Sequence, residues 1–202
     1  MARGRRNEMS GVIFLVRHGE TEWNLTRRYQ GWSDSPLTRR GVAQAEAFGR
    51  RLRALSEAEG VAVVSSPLGR ARRTAELIQA QRADPAPIVF DERLKEISIG
   101  AWDEFDRAEI EALSPGIFAG DGRDEWYFRT PDGETYDQFA GRIAAWLDEI
   151  AGRALIVVAH GVVTRVLRGL YAGLPRAAAL SLPVPQDVIW RLADGRIEEI
   201  AI

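Results

Sequence analysis

The stretch Val12-Ile13-Phe14-Leu15-Val16-Arg17-His18-Gly19-Glu20-Thr21 decides how this chain folds. A short, unbroken apolar run rich in β-branched residues, halted by polar residues and a glycine, is the pattern of a strand covered on both faces. Leu155-Ile156-Val157-Val158-Ala159 repeats that pattern and ends on His160-Gly161. His18 and His160 are the only 2 histidines of the 202 residues. In an open α/β sheet, ligands gather outside the carboxyl ends of strands. Two imidazoles from distant parts of the chain, each at such an end and one beside Arg17, point to a single site that binds phosphate and uses an imidazole on it.

Outward from these two runs, residues 61–65 read as a third strand, and residues 88–90 and 188–192 as weaker ones. Helical periodicity fills the gaps. Thr38 is placed to cap a helix carrying Val42, Ala45, Phe48, Leu52 and Leu55 on one face. Ser66-Pro67 reads as a cap and first helical position, opening a helix with Ala71, Ala75 and Ile78 inward. Thr135 and Gln138 form a capping box ahead of Phe139, Ile143, Trp146 and Ile150. A last helix follows Gly161. Alternating strands and helices predict the α/β class, a three-layer α/β/α sandwich with a mainly parallel sheet. Residues 103–133 break the rhythm and are expected to form an inserted, partly helical cover over the site. Residues 1–10 read as a disordered tail, and 11–202 as a single domain.

Composition narrows the classes. Apolar content of 46% and charged content of 28% describe an ordinary globular chain. A net charge of −2 favours neither nucleic acid nor an anionic membrane as partner. No apolar stretch approaches the roughly 20 residues of a membrane span. The basic N-terminus lacks the apolar core of a secretory signal, so a cytoplasmic location is expected. With no cysteine and few histidines, no metal site and no cofactor are expected. P-loop, dinucleotide-binding and Gly-x-Ser-x-Gly strings are absent from the sequence. The expected partner is a small phosphorylated metabolite, and the chain a monomer or homodimer.

The chemistry can be read residue by residue. Guanidinium forks match phosphoryl oxygens, so Arg17 can hold a phosphate while His18 faces phosphorus. Arg70, in Ser65-Ser66-Pro67-Leu68-Gly69-Arg70-Ala71, lies on the first turn of a helix after a strand end, where the helix terminus itself attracts anions. Glu96 stands in an otherwise apolar stretch before Gly100, a candidate proton donor for a leaving alkoxide. Arg107, Arg123 and Arg129 could meet a second anionic group of a substrate, and Trp23, Trp102, Trp126 and Tyr127 could flank a ring or fill the core.

These blocks, with Asn24, Gln30-Gly31-Trp32-Ser33-Asp34-Ser35-Pro36-Leu37-Thr38 and Pro131-Asp132-Gly133-Glu134-Thr135, resemble the histidine phosphatase superfamily, on its short phosphoglycerate-mutase-like branch. The resemblance implies that His18 becomes a phosphohistidine, that Arg17, Arg70 and a protonated His160 surround the phosphate, and that Asn24, Gln30, Gly31 and Gly161 assist. Glu96 would be the proton donor. It implies metal-independent phosphomonoester hydrolysis; a phosphomutase, or a silent phospho-ligand-binding module, would use the same residues. The family often has Trp-Glu-Gly where this chain has Trp102-Asp103-Glu104, which adds a carboxylate near the expected mouth. The long insertion of the glycolytic mutases is missing between the Glu96 and His160 blocks.

Overall fold

In the computed structural model of this chain, residues 11–85, 87–119 and 125–202 are described. The expected tail at 1–10, and Gly120, Gly122 and Arg123 of the expected cover, lie outside them. The opening run forms β1 (Ile13–Arg17), followed by the single turn α1 (Glu22–Leu25), which Thr21 and Asn24 close with a reciprocal capping box. Thr38 starts α2 (Arg39–Arg53) by accepting the Gly41 N–H at 2.9 Å. Then come β2 (Ala62–Ser65), α3 (Gly69–Ala80) and the short β3 (Val89–Phe90). Within the expected cover lie α4 (Arg107–Leu113) and a tight helical turn at Glu125–Arg129. The Thr135–Gln138 capping box opens α5 (Tyr136–Glu149), ahead of β4 (Leu155–Ala159), α6 (Gly161–Tyr171) and α7 (Arg176–Leu180). The chain closes with β5 (Val188–Ala193) and β6 (Arg196–Ala201).

The sheet runs β3-β2-β4-β1-β5-β6. The first four strands are parallel; β5 is antiparallel to β1, and β6 to β5. The parallel half therefore carries both histidines, and an antiparallel hairpin finishes the other edge. Strand β6 was not foreseen, because its outward residues are polar. Its signal was Asp194-Gly195, whose positive φ values of 52° and 71° make the tight hairpin turn such a pair favours.

The sheet's two faces explain the unbroken apolar runs. Ile13, Leu15, Leu155 and Val157 pack with Phe139, Ile143 and Trp146 of α5 and with Val163, Val166 and Leu167 of α6. Phe14, Val16, Ile156 and Val158 pack with Phe48 and Leu52 of α2 and with Ala71, Ala75 and Ile78 of α3. Phe14, Leu15 and Val16 are wholly enclosed, each contributing about 1.5–3 kcal/mol over exposure.

Candidate active site

Strand register brings the histidines together. Arg17 pairs with Ala159 across β1 and β4, so His18 and His160 are the next residues on neighbouring parallel strands. The His18 N–H continues the ladder to the Ala159 carbonyl at 2.9 Å, and the two ring centroids are 5.3 Å apart. On the other side Ser65 of β2 pairs with Val158, which sets Ser66 beside the same edge.

The turn after His18 is held tightly. A Cβ on Gly19 would sit 2.3 Å from the Gly41 carbonyl oxygen, so the start of α2 can approach this turn only because residue 19 is glycine. The Gly19 N–H donates to Thr74 Oγ1 of α3 at 3.1 Å. His18 Nδ1 lies 2.8 Å from the Gly19 carbonyl. A carbonyl only accepts, so Nδ1 carries the proton, and Nε2 keeps a lone pair. Burial pushes His18 well below the ordinary imidazole value of 6.5, with the Arg70 and Arg17 cations adding to it. The ring is neutral, as a nucleophile must be.

His160 is also buried, with Nε2 2.7 Å from Ser66 Oγ and with no hydrogen-bond partner for Nδ1. Burial, then Arg70, His18 and Arg17, push it well below 6.5 as well. With no anion bound, burial and the two nearby guanidiniums oppose a third cation and keep the ring neutral near pH 7.

Arg17 and Arg70 are each tied at one end. Arg17 Nη1 donates to the Val184 carbonyl at 2.8 Å. Arg70, on the first turn of α3, donates from Nη1 to the Ser33 carbonyl at 2.7 Å and Asp34 Oδ1 at 2.9 Å, and from Nη2 to the Gly31 carbonyl at 2.8 Å. In both residues Nε is buried and has no partner. Burial lowers both guanidiniums from their ordinary value, opposed by Glu96 at Arg17 and by Asp34, then Glu96, at Arg70. The expectation that Ser66 caps this helix and that its N-terminus is open to anions is corrected here. The helix starts at Gly69, and the Asp34 carboxylate accepts both the Gly69 and Arg70 N–H groups.

Glu96 is fixed by backbone donors. Oε1 accepts from Ile97 at 3.0 Å and Val163 at 3.3 Å, and Oε2 from Val162 at 3.1 Å. Two of these donors belong to the first turn of α6, directly after His160. A methyl built on Gly161 would lie 3.7 Å from both Arg17 Nε and Glu96 Oε2, so Gly161 keeps the ground between them open. The Glu96 carbonyl is braced by Arg142 Nη2 at 2.9 Å and Trp32 Nε1 at 2.8 Å, and Arg142 is itself paired with Glu134. Asn24 Oδ1 takes the Thr21 N–H and Gln186 Nε2, each at 3.1 Å, leaving its Nδ2 as a donor.

Arg17, His18, Asn24, Gln30, Gly31, Arg70 and Glu96 line one cavity of about 90 Å³. That volume is the share of about three waters at roughly 30 Å³ each, enough to admit a phosphoryl group. His160 and Gly161 are not among its lining residues; the His160 ring centroid lies 5.3 Å from that of His18. Gly31 serves through its carbonyl: a Cβ there would meet Asp103 Oδ1 at 1.8 Å. Tyr29, Ile97, Ile99, Tyr127 and Val162 complete the lining, and of these only Tyr127 was singled out from the sequence. Trp102 and Trp126 are buried in the core. Arg107 stacks on Phe118, Arg129 bonds the Ile117 carbonyl, and neither lines the cavity. Glu104 does not line it either; its carbonyl accepts from Arg28. A larger groove of about 480 Å³, lined by Leu147, Leu170 and Tyr171, holds none of these residues. Among the described residues no group of three or more His, Asp or Glu side chains could hold a metal ion, and no helix is long and apolar enough to cross a membrane.

Known proteins are similar to this chain along most of its length. The probable phosphoglycerate mutase GpmB of Citrobacter koseri is 35% identical over 94% of this chain and 91% of its own. Bacillus stearothermophilus YhfR superposes with a TM-score of 0.77 at 32% identity, covering 95% of this chain and 96% of that one. A mycobacterial glucosyl-3-phosphoglycerate phosphatase, solved as a complex with VO3, gives 0.75 at 26% identity over 95% and 98%. The model of the histidine phosphatase superfamily (branch 1) matches residues 13–193, a span that takes in both histidines, both arginines and Glu96, and the chain belongs to that superfamily.

Proposed function

We propose that this protein hydrolyses small phosphomonoesters through a phosphohistidine on His18. The observation that carries the reading is the set of buried nitrogens without partners around the His18 ring: Arg17 Nε, Arg70 Nε and His160 Nδ1. Buried polar groups are nearly always paired, and a site that leaves several unpaired keeps them for a ligand. A phosphoryl group, with three oxygens, answers all three.

The reaction divides into two displacements. The Nε2 lone pair of neutral His18 attacks phosphorus, the bond to the ester oxygen breaks, and Glu96 gives its proton to that oxygen. Arg17 and Arg70 stabilise the charge on the equatorial oxygens, so the protein contributes position and electrostatics more than covalent chemistry. In the second step the Glu96 carboxylate takes a proton from water as its oxygen attacks phosphorus. The P–N bond breaks, phosphate leaves, and His18 is neutral again.

The name of the GpmB relatives supports a mutase reading as the second choice. A phosphoglycerate-type mutase must hold an acceptor with further anionic groups. Among the described residues the only cationic side chains lining the cavity are Arg17 and Arg70, and in the proposed reaction the transferring phosphoryl group would engage both. That favours hydrolysis.

Glu96→Gln tests the scheme. In single-turnover phosphorylation the variant should lose about 10²–10⁴-fold on an alkyl phosphate, whose alkoxide needs the proton, and little on p-nitrophenyl phosphate. Equal losses on the two would remove Glu96 from the acid role, and absence of phosphate release from every monoester by the unaltered protein would overturn the function.

A further inference from the structure

Ser66 follows β2 at the edge where both histidines stand. It is fully buried, and it is not the helix cap that its sequence position suggests. Its Oγ accepts the Leu68 N–H at 3.3 Å and lies 2.7 Å from His160 Nε2. A hydroxyl has one proton to give. Among the described residues, His160 Nε2 is the one acceptor within reach of it.

We infer that Ser66 is a positioning residue for phosphoryl transfer: its O–H donates to His160 Nε2, which fixes His160 as the Nδ1–H tautomer and makes that N–H a donor to the phosphoryl oxygens. The inference rests on the proposed reading that His160 contacts the transferring group. The opposite tautomer fails twice. It would strand the Ser66 proton in a buried site, and it would turn the Nδ1 lone pair toward an anion. The arrangement also divides labour between the two rings. The Gly19 carbonyl forces the proton of His18 onto Nδ1 and frees the Nε2 lone pair for attack. At His160 it is Nε2 that is occupied, by Ser66, so with the same tautomer one ring offers its free lone pair and the other its free N–H while both stay neutral. Ser66 thereby lets a buried, uncharged imidazole bind an anion between two guanidiniums.

The test uses protein labelled with ¹⁵N at histidine, in which the 2 histidines of the chain give two separable sets of ring signals. Long-range proton–nitrogen spectra of the unaltered protein should show His160 protonated at Nδ1 and bare at Nε2. In Ser66→Ala that preference should collapse. Single-turnover phosphoenzyme formation should fall about 10–100-fold, by analogy with the loss of partners that orient metal-bound histidines. Ser66→Thr, which keeps the hydroxyl, should recover most of the rate. An Nε2–H tautomer in the unaltered protein overturns the inference whatever the variants do, and so does a Ser66→Ala protein that keeps both tautomer and rate. If the unaltered protein forms no phosphoenzyme at all, the functional reading fails, while the ring nitrogens still report on the Ser66 contact.

Discussion

Asp34→Ala should unfold the molecule more easily while leaving the Arg70 guanidinium held by two of its three partners. Asp34 Oδ2 accepts the Gly69 N–H, and Oδ1 accepts the Arg70 N–H at 3.2 Å and Arg70 Nη1 at 2.9 Å. Loss of a helix cap costs about 1 kcal/mol. Loss of a charged hydrogen bond costs about 1.5–3 kcal/mol. The carboxylate is 39% exposed while the Arg70 side chain is 1% exposed, so water replaces part of what the arginine loses and the lower figure applies. The expected destabilisation is therefore about 2–3 kcal/mol. Asp34→Asn keeps an oxygen acceptor and should lose roughly half as much. In urea, with a slope of about 2 kcal/mol per M, the alanine variant should unfold about 1 M earlier with the slope unchanged. Arg70 keeps the Gly31 and Ser33 carbonyls, so turnover at saturating substrate should survive. A variant within about 0.5 kcal/mol of the original, the range of inert surface changes, would refute the assignment of Asp34 as the cap of α3.

Two further outcomes follow from backbone strain and from burial. Glu104 holds a φ of +75°, where the family often has glycine, with both its N–H and its carbonyl hydrogen-bonded. Relief of about 1–2 kcal/mol of strain, less about 0.5–1 kcal/mol of glycine entropy, predicts that Glu104→Gly gains roughly 0.5–1 kcal/mol; a lower Tm would contradict this. Both histidines are buried and lowered well below 6.5 in the fold, so as pH falls through about 6.5 the unfolded chain takes up protons that the native rings refuse. Their contribution is complete above that pH and is lost below it, by up to about 1.4 kcal/mol per pH unit for each ring. Urea titrations at pH 7 and 5 should show this loss reduced in His160→Asn, and an equal loss in both proteins would contradict it.

How much of this the sequence reveals depends on distance along the chain. His18 and His160 are readable as strand ends because a sheet covered on both faces requires unbroken apolar runs, and the runs stop at these residues. Arg70 is readable because strand, turn and helix follow one another within a few positions. Asp34 reaches α3 from 35 residues away in the chain, and no local pattern announces such a contact. Tyr29 and Gln186 enter the site in the same way, through tertiary packing. The burial of His160 is likewise a property of the fold, not of the residue's neighbours in sequence. Strand β6 is the exception: Asp194-Gly195 marks its turn, but Ile197 and Ile200 fall on opposite faces among polar residues, so no period-2 pattern shows.

The central claim is a covalent bond between phosphorus and His18. Rapid quenching of a single turnover with phosphorus-labelled substrate, followed by peptide mapping, tests it most directly. The account predicts acid-labile, base-stable phosphate on the peptide holding His18, formed and lost at rates that match turnover. It also predicts that His18→Ala carries no label and keeps less than about a hundredth of the activity, as nucleophile deletions do. Label on another residue, no label at all during active turnover, or a His18→Ala protein that retains more than that activity would contradict it.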